Sequence, residues 1–340
     1  MTGLGSVKQT AVRCLHAAAY WSGACAAAGL SGAGNGATVL MYHSVADGDT
    51  ERWIEPGMRI APAAFERQMR FLKGCRRVVR MSELVEAITA GRHPAPGTVA
   101  ITFDDGYLDN RFVAAPILRA LGLPAAIYLP TAYLREGETH WIDRLWTSFQ
   151  QRSKQNLDLG EGDALRLNER EAERAAFERA RRMIIPSSPE QRESLLERIE
   201  AQLRPREKGP RVVMTWDDAR QVQKDHPGIE FGAHTRWHLD LTACSRDTTK
   251  QEVTGSRDEA EAELGVVPEH FSFPYGRSSS EARAIVAESG LRSAVASGSS
   301  TLVRAGTDPF WISRVAAPVS DTGLRFWTGA GRGVFAGGAA

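Results

Sequence analysis

The sequence predicts an α/β protein built on a parallel sheet or barrel, and three observations predict it. Short apolar, β-branched runs alternate with stretches of helical period along most of the chain. Several of those runs end abruptly in groups that bind metals or move protons, as expected where parallel strands open onto a ligand-binding face. One segment, about 138–211, lacks strand signals and reads as a helical insertion into the alternating pattern.

Taken in order, residues 11–30 form an Ala-rich stretch behind Lys8, with Arg13 and His16 within it, and a Gly-rich linker follows at 31–36. The stretch resembles a weak signal peptide, and an amphipathic helix lying on the domain or on a membrane surface through residues 8–30 fits equally. The interruptions exclude a transmembrane span. Residues 38–42 read as a strand that delivers His43, and 44–61 as a loop. From 62 to 72, Ala63, Phe65, Met69 and Leu72 share one helical face, with Pro62 in the first turn. A short strand is expected at 78–79, and Ser82 is expected to cap a helix over 83–90 that stops at Gly91. Residues 99–103 are the central buried strand and stop at Asp104-Asp105-Gly106. A helix over 110–121 and a strand over 125–129 follow.

The insertion combines Glu, Arg and Gln with periodic Leu, Ala, Phe and Ile, and Pro186 and Pro189 break its helices. Its opening, residues 140–146, is aromatic, and Trp141 there reads either as part of a sugar site or as an anchor to the core. Thr215 with Asp218 is a helix-start signature, so Asp217 and Asp218 are capping and first-turn residues. The strand 229–233 ends in His234 and His238; a helix spans 248–264, and 270–273 leads into Pro274-Tyr275-Gly276. Late strands are expected at 294–296 and 311–315. The organisation is an N-terminal helix and linker (1–37), one domain (38–325) carrying the insertion, and a frayed tail (326–340).

At 340 residues the chain can bury a substantial core, and a net charge of +1 gives no reason to propose a nucleic-acid partner. The four cysteines, Cys14, Cys25, Cys75 and Cys244, are scattered and read as free thiols in a reducing compartment. The expected location is cytoplasmic or peripheral to the inner membrane, with export as the alternative.

Asp-Asp-Gly alone is an ordinary turn signal. Joined to His-x-x-x-His it means more, because one carboxylate and two imidazoles suit a borderline divalent ion and leave positions open for water and substrate.

The set Thr102-Phe103-Asp104-Asp105-Gly106, His234-Thr235-x-x-His238 and Phe273-Pro274-Tyr275-Gly276 closely resembles the polysaccharide deacetylase family, the NodB homology domain of carbohydrate esterase family four. The resemblance covers roughly 38–135 and 212–316. It implies a distorted, partly open (β/α) barrel and a metal-dependent hydrolase, zinc being the expected ion, that removes N-acetyl groups from an amino sugar in a polysaccharide or lipid-linked glycan. A deformylase of a lipid-linked amino sugar and a non-catalytic carbohydrate-binding protein on the same fold are the alternatives. Carried over by residue, Asp104 is the general base, Asp105, His234 and His238 hold the metal, and Tyr275 offers its backbone N–H to the oxyanion. Ser272 stands where the family usually has Arg, and no late His follows residue 276. Tyr42-His43 is similar to the element that opens the poly-N-acetylglucosamine deacetylase branch, which makes His43 the expected general acid. Arg314 is expected to orient Asp104 or bind substrate, and Pro274 and Trp141 to contact substrate.

Overall fold

The structure is a computed structural model that describes residues 36–136, 139–160, 164–297 and 302–317. The expectations for residues 8–30 and for the tail lie outside these. Eight parallel strands form the main sheet: β1 (Ala37–Tyr42), β2 (Arg77–Val78), β3 (Thr98–Phe103), β4 (Ala125–Leu129), β5 (Ile229–Ala233), β6 (His270–Ser272), β7 (Ser293–Ser297) and β8 (Ile312–Ala316). The order β1-β8-β7-β6-β5-β4-β3 returns to β1, because β1 also pairs with β3 along its whole length, from Ala37↔Thr98 to Tyr42↔Phe103. Seven strands thus close a ring, and β2 pairs only with the start of β3. This is the expected (β/α) barrel with one correction: the ring, expected to be partly open, is closed, because β1 and β3 pair along their whole length.

The strands close because their residues suit burial on both faces. All six residues of β3 are buried, and Tyr42, Phe65 and Phe103 pack ring to ring with centroids 5.3–5.7 Å apart. Each such side chain contributes about 1.5–3 kcal/mol. Helices α1 (Pro62–Cys75), α2 (Met81–Thr89), α3 (Ala115–Leu121), α7 (Trp216–Asp225), α8 (Arg246–Leu264) and α9 (Ser280–Glu288) surround the ring, and Pro62 stands in the first turn of α1. The insertion supplies α4 (Trp141–Gln150), α5 (Arg170–Ile184) and α6 (Pro189–Leu203). Leu145, Phe149, Phe177, Leu196 and Leu203 join the same apolar cluster as Phe103 and Leu129, so the insertion is fused to the barrel core.

Three local expectations are corrected. Ser82 does not cap α2; the Glu230 carboxylate on β5 accepts the N–H of Met81 (3.0 Å) and of Ser82 (3.4 Å) and the Ser82 hydroxyl, so the cap comes from a distant strand. The helix expected over 110–121 begins as a π-helical turn, Asn110–Ala114, before α3. The insertion, expected without strands, holds a two-residue antiparallel pair, Asn156–Leu157 with Leu165–Arg166. Asp218 caps α7 reciprocally with Thr215, as expected.

Candidate metal centre

The carboxyl ends of β1, β3, β5 and β6 converge on one cavity of about 240 Å³, lined by His43, Asp104, Asp105, His140, Trp141, His234, His238 and Tyr275 among others. Backbone hydrogen bonds fix where each strand lets go: Asp104 donates its N–H to the Tyr42 carbonyl at 3.0 Å, and His234 to the Leu129 carbonyl at 3.0 Å. The chain then turns sharply. Of the five non-glycine residues with positive φ among those described, four belong here: Asp105 (70°), Thr235 (60°), His238 (51°) and Tyr275 (57°). Such conformations cost on the order of 1–3 kcal/mol each and persist where the surroundings over-determine them. Gly106 continues the turn at φ 59°, where a Cβ would meet Leu129 at 2.9 Å.

The surroundings that hold the histidine loop can be named. Glu252 accepts the N–H groups of Arg236 (3.0 Å) and Trp237 (2.9 Å). Arg192, buried and reaching over from α6, donates to the carbonyls of Trp237 (2.8 Å) and His238 (3.4 Å). The Tyr275 hydroxyl also donates to the His238 carbonyl, at 3.3 Å.

Held this way, Nε2 of His234 and of His238 lie 3.5 and 3.4 Å from Oδ1 of Asp105. Donor bonds of about 2.0–2.2 Å at tetrahedral angles give separations of this size. Three details fit a divalent cation. Asp105 Oδ1 is buried without a hydrogen-bond partner. His234 donates Nδ1–H to the Ser272 carbonyl at 2.7 Å, which aims Nε2 at Asp105; against burial, the Asp104 and Asp105 carboxylates raise its pKa, so this nitrogen sits where positive charge is favoured. Burial pushes the His238 imidazole well below its ordinary value against the pull of Asp105, so it is neutral, as a ligand must be. Burial would raise the Asp105 carboxyl, but His140, His234 and His238 hold it well below the usual carboxylate range.

Asp104 borders this cluster, its Oδ2 4.0 Å from His234 Nε2, but has a cation of its own. Arg314 grips it with both terminal nitrogens, Nη1 to Oδ1 at 2.7 Å and Nη2 to Oδ2 at 2.6 Å, and Ser272 donates to Oδ2 at 3.3 Å. Burial raises the Asp104 carboxyl, the Arg314 guanidinium lowers it, and the guanidinium wins. The Arg missing at Ser272 is therefore replaced in space from β8, and the small serine leaves room for it. Arg314 is fully buried beneath Asp104 and does not line the cavity.

The other expected residues separate into two groups. His43 is half-buried and lines the cavity, while Tyr42 turns into the core, where its hydroxyl donates to Gln68 at 2.7 Å. Tyr275 and Trp141 line the cavity; Pro274 is buried in the turn and does not. Sequence reasoning missed His140. It is buried at the mouth of the insertion, with Nε2 3.8 Å from Asp105 Oδ1, its ring 4.7 Å from that of His238, and neither ring nitrogen partnered. Burial lowers its pKa to about 4. Its only sequence signal was a place beside Trp141 at the start of an aromatic helix.

A closed parallel (β/α) barrel with a candidate metal centre and an arginine-clamped carboxylate at the carboxyl ends of its strands defines the class. A sequence model of the polysaccharide deacetylase family matches residues 198–294, which include both histidines and the Pro-Tyr-Gly turn. The Bacillus subtilis protein YxkH, named for polysaccharide deacetylation, is 33% identical over 92 residues, 27% of this chain and 30% of YxkH, so the match spans under a third of that relative. Among solved structures, the Streptococcus pyogenes deacetylase PplD in complex with acetate superposes with a TM-score of 0.58 at 17% identity, over 86% of this chain and 97% of PplD. IcaB from Ammonifex degensii gives 0.56 at 16% identity, over 89% and 97%. A de-N-acetylase from Aggregatibacter actinomycetemcomitans gives 0.52 at 18%, over 84% and 95%. At these identities the structural likenesses speak for the fold. Residues 198–294 thus match the polysaccharide deacetylase family, and the barrel has the fold of these deacetylase structures.

Proposed function

We propose that the protein is a metal-dependent hydrolase that removes N-acetyl groups from an amino sugar within a polysaccharide or lipid-linked glycan. The observation that carries this is the convergence of Asp105, His234 and His238, their donor atoms within 4.8 Å of one another, beside a second carboxylate clamped by Arg314. Held by these three residues, a divalent cation, zinc on the donor set, would polarise the amide carbonyl and acidify the attacking water. Asp104, kept ionised by Arg314, takes that water's proton. Tyr275 offers its backbone N–H to the developing oxyanion, and His43 protonates the leaving amine from the opposite strand end.

The roles divide as the charges require. Two adjacent buried carboxylates repel unless each has its own cation, and here Asp104 has Arg314 while Asp105 faces the imidazoles. The arginine also weakens the non-catalytic reading, since the departure at Ser272 is compensated from β8.

The test is acetate release from N-acetylglucosamine oligomers by metal-loaded and chelator-treated protein, with formate release from N-formyl analogues run alongside. The expected result is acetate release that needs the metal and falls about 10²–10⁴-fold in Asp104→Asn with metal content unchanged. Full activity after chelation, or in Asp104→Asn, contradicts the mechanism.

A further inference from the structure

We propose that Asn110, with Asp109 beside it, is a positioning residue for the acid step: the pair grips the backbone of residues 43–45 and thereby holds the His43 imidazole at the metal cavity. This deepens the hydrolase reading above and rests on it. As the C–N bond breaks, the nitrogen takes the proton of the His43 imidazolium and leaves as a free amine, which requires the ring to be in place at that moment.

His43 needs such a holder. It follows β1, whose last residue, Tyr42, is fixed by its hydroxyl on Gln68 and by its carbonyl, which accepts the Asp104 N–H. His43 itself lies outside the strand, half-buried on the cavity wall, and its ring makes no hydrogen bond with the described residues. Its placement is therefore set through its backbone.

The grip on that backbone is specific. Asn110 donates Nδ2–H to the His43 carbonyl at 2.8 Å and to Asp109 Oδ1 at 3.0 Å. Asp109 accepts the Ser44 hydroxyl at 2.6 Å and the Val45 N–H at 2.8 Å. Three consecutive residues are thus pinned by two neighbouring side chains, and Ser44, Val45, Asp109 and Asn110 are all buried, where such bonds rigidify what they join. Both side chains are costly to bury. No cation pairs with Asp109 among the described residues, and burial pushes its carboxyl up to about 6; the Asn110 side-chain oxygen is buried with no partner at all. What each of them does make is a hydrogen bond to the His43 segment.

The grip also ties the acid to the base. Asn110 lies on the loop that starts with Asp104 and Asp105, and it opens the π-helical turn Asn110–Ala114, a rare element that recurs at functional sites. The end of β3 therefore supplies the base, a metal residue and the holder of the acid, next to the end of β1 with which it pairs at Tyr42↔Phe103.

The experiment is a double-mutant cycle on acetate release from N-acetylglucosamine oligomers by metal-loaded protein, with Asn110→Ala, His43→Ala and both together. Circular dichroism and metal content check that each variant is folded and loaded. Asn110→Ala is expected to lower kcat about tenfold with KM within about twofold, a loss of the kind that misplacing a reacting group causes. His43→Ala is expected to lower kcat about 10²-fold, and the double variant no further, because Asn110 acts through His43. Ser44→Ala, which removes one hydroxyl from the same network, replaces Asn110→Ala in the cycle if that variant does not fold, with about a threefold loss expected. Losses that add in the double variant, or full activity of Asn110→Ala, overturn the assignment, and full activity of His43→Ala overturns the acid role with it. No release by the parent overturns the hydrolase reading instead; the grip is then judged by the proton–nitrogen NMR signals of the His43 ring, which Asn110→Ala must shift or broaden for the assignment to stand.

Discussion

Arg314 shows how much one side chain carries in this molecule. Its guanidinium is buried with Asp104 as its carboxylate partner, and it also donates to Thr102 Oγ1 at 3.2 Å and to Ser272 Oγ at 2.9 Å. Breaking a buried pair by removing one partner leaves an uncompensated charge, which costs about 3–5 kcal/mol. Arg314→Met is expected to lose stability on that scale in denaturant unfolding, and to lose most hydrolysis because Asp104 is then neither oriented nor kept ionised. A near-neutral unfolding midpoint would mean that the pair contributes nothing net. The pairing was only half legible in the sequence: a basic residue on a late strand was visible, but not that β8 lies beside β1 in the ring and so brings Arg314 beneath a residue 210 positions earlier.

At the scale of elements, the turns after the strands decide whether the site forms. Gly276 has φ 65°, and a Cβ there would lie 2.2 Å from the side chain of Ser297 on β7. Gly276→Ala is expected to displace the Tyr275 turn, reduce activity at least tenfold and cost about 1–3 kcal/mol. Adding Ser297→Gly removes only the side-chain clash and should restore little of the stability, because the residue 297 backbone nitrogen would still lie 2.5 Å from the new Cβ. If the single variant is as active as the parent, the turn does not position Tyr275.

The insertion is tied to the barrel by a buried carboxyl. Asp143 of α4 accepts the Tyr107 hydroxyl at 2.9 Å and the Glu55 N–H at 3.1 Å, and burial raises its pKa to about 8. An unfolded Asp titrates near 3.9. Below about pH 4 both states carry the proton; from there to about pH 8 the folded state keeps one that the unfolded chain has lost. Stability from this group therefore declines as pH rises through that window. Thermal unfolding of Asp143→Asn against the parent between pH 5 and 8 should show the parent losing more stability with rising pH, and parallel curves would contradict the assignment. From sequence, residues 140–146 offered only a sugar site or a core anchor. Trp141 is anchored in the core at 2% exposure and borders two cavities, while His140 and Asp143 acquire their meaning only when packed against Asp105 and Tyr107.

For the whole molecule, period and punctuation in the sequence were enough for the strand and helix alternation, the insertion and the residues at the strand ends, because these depend on local patterning. Ring closure between β1 and β3, the cap that Glu230 lends α2 and the clamp of Arg192 on the His238 loop were not legible, because each joins segments that no local rule relates. The barrel's contribution to function is to bring Asp105 within 3.5 Å of two imidazoles more than a hundred residues away.

That convergence is tested most directly by elemental analysis of purified protein, with calorimetric titration of zinc into the metal-stripped chain, for the parent, Asp105→Ala and Asp104→Asn. The account predicts about one divalent ion per chain for the parent and for Asp104→Asn, and almost none for Asp105→Ala. Equal metal binding by Asp105→Ala, or none by the parent, would contradict it.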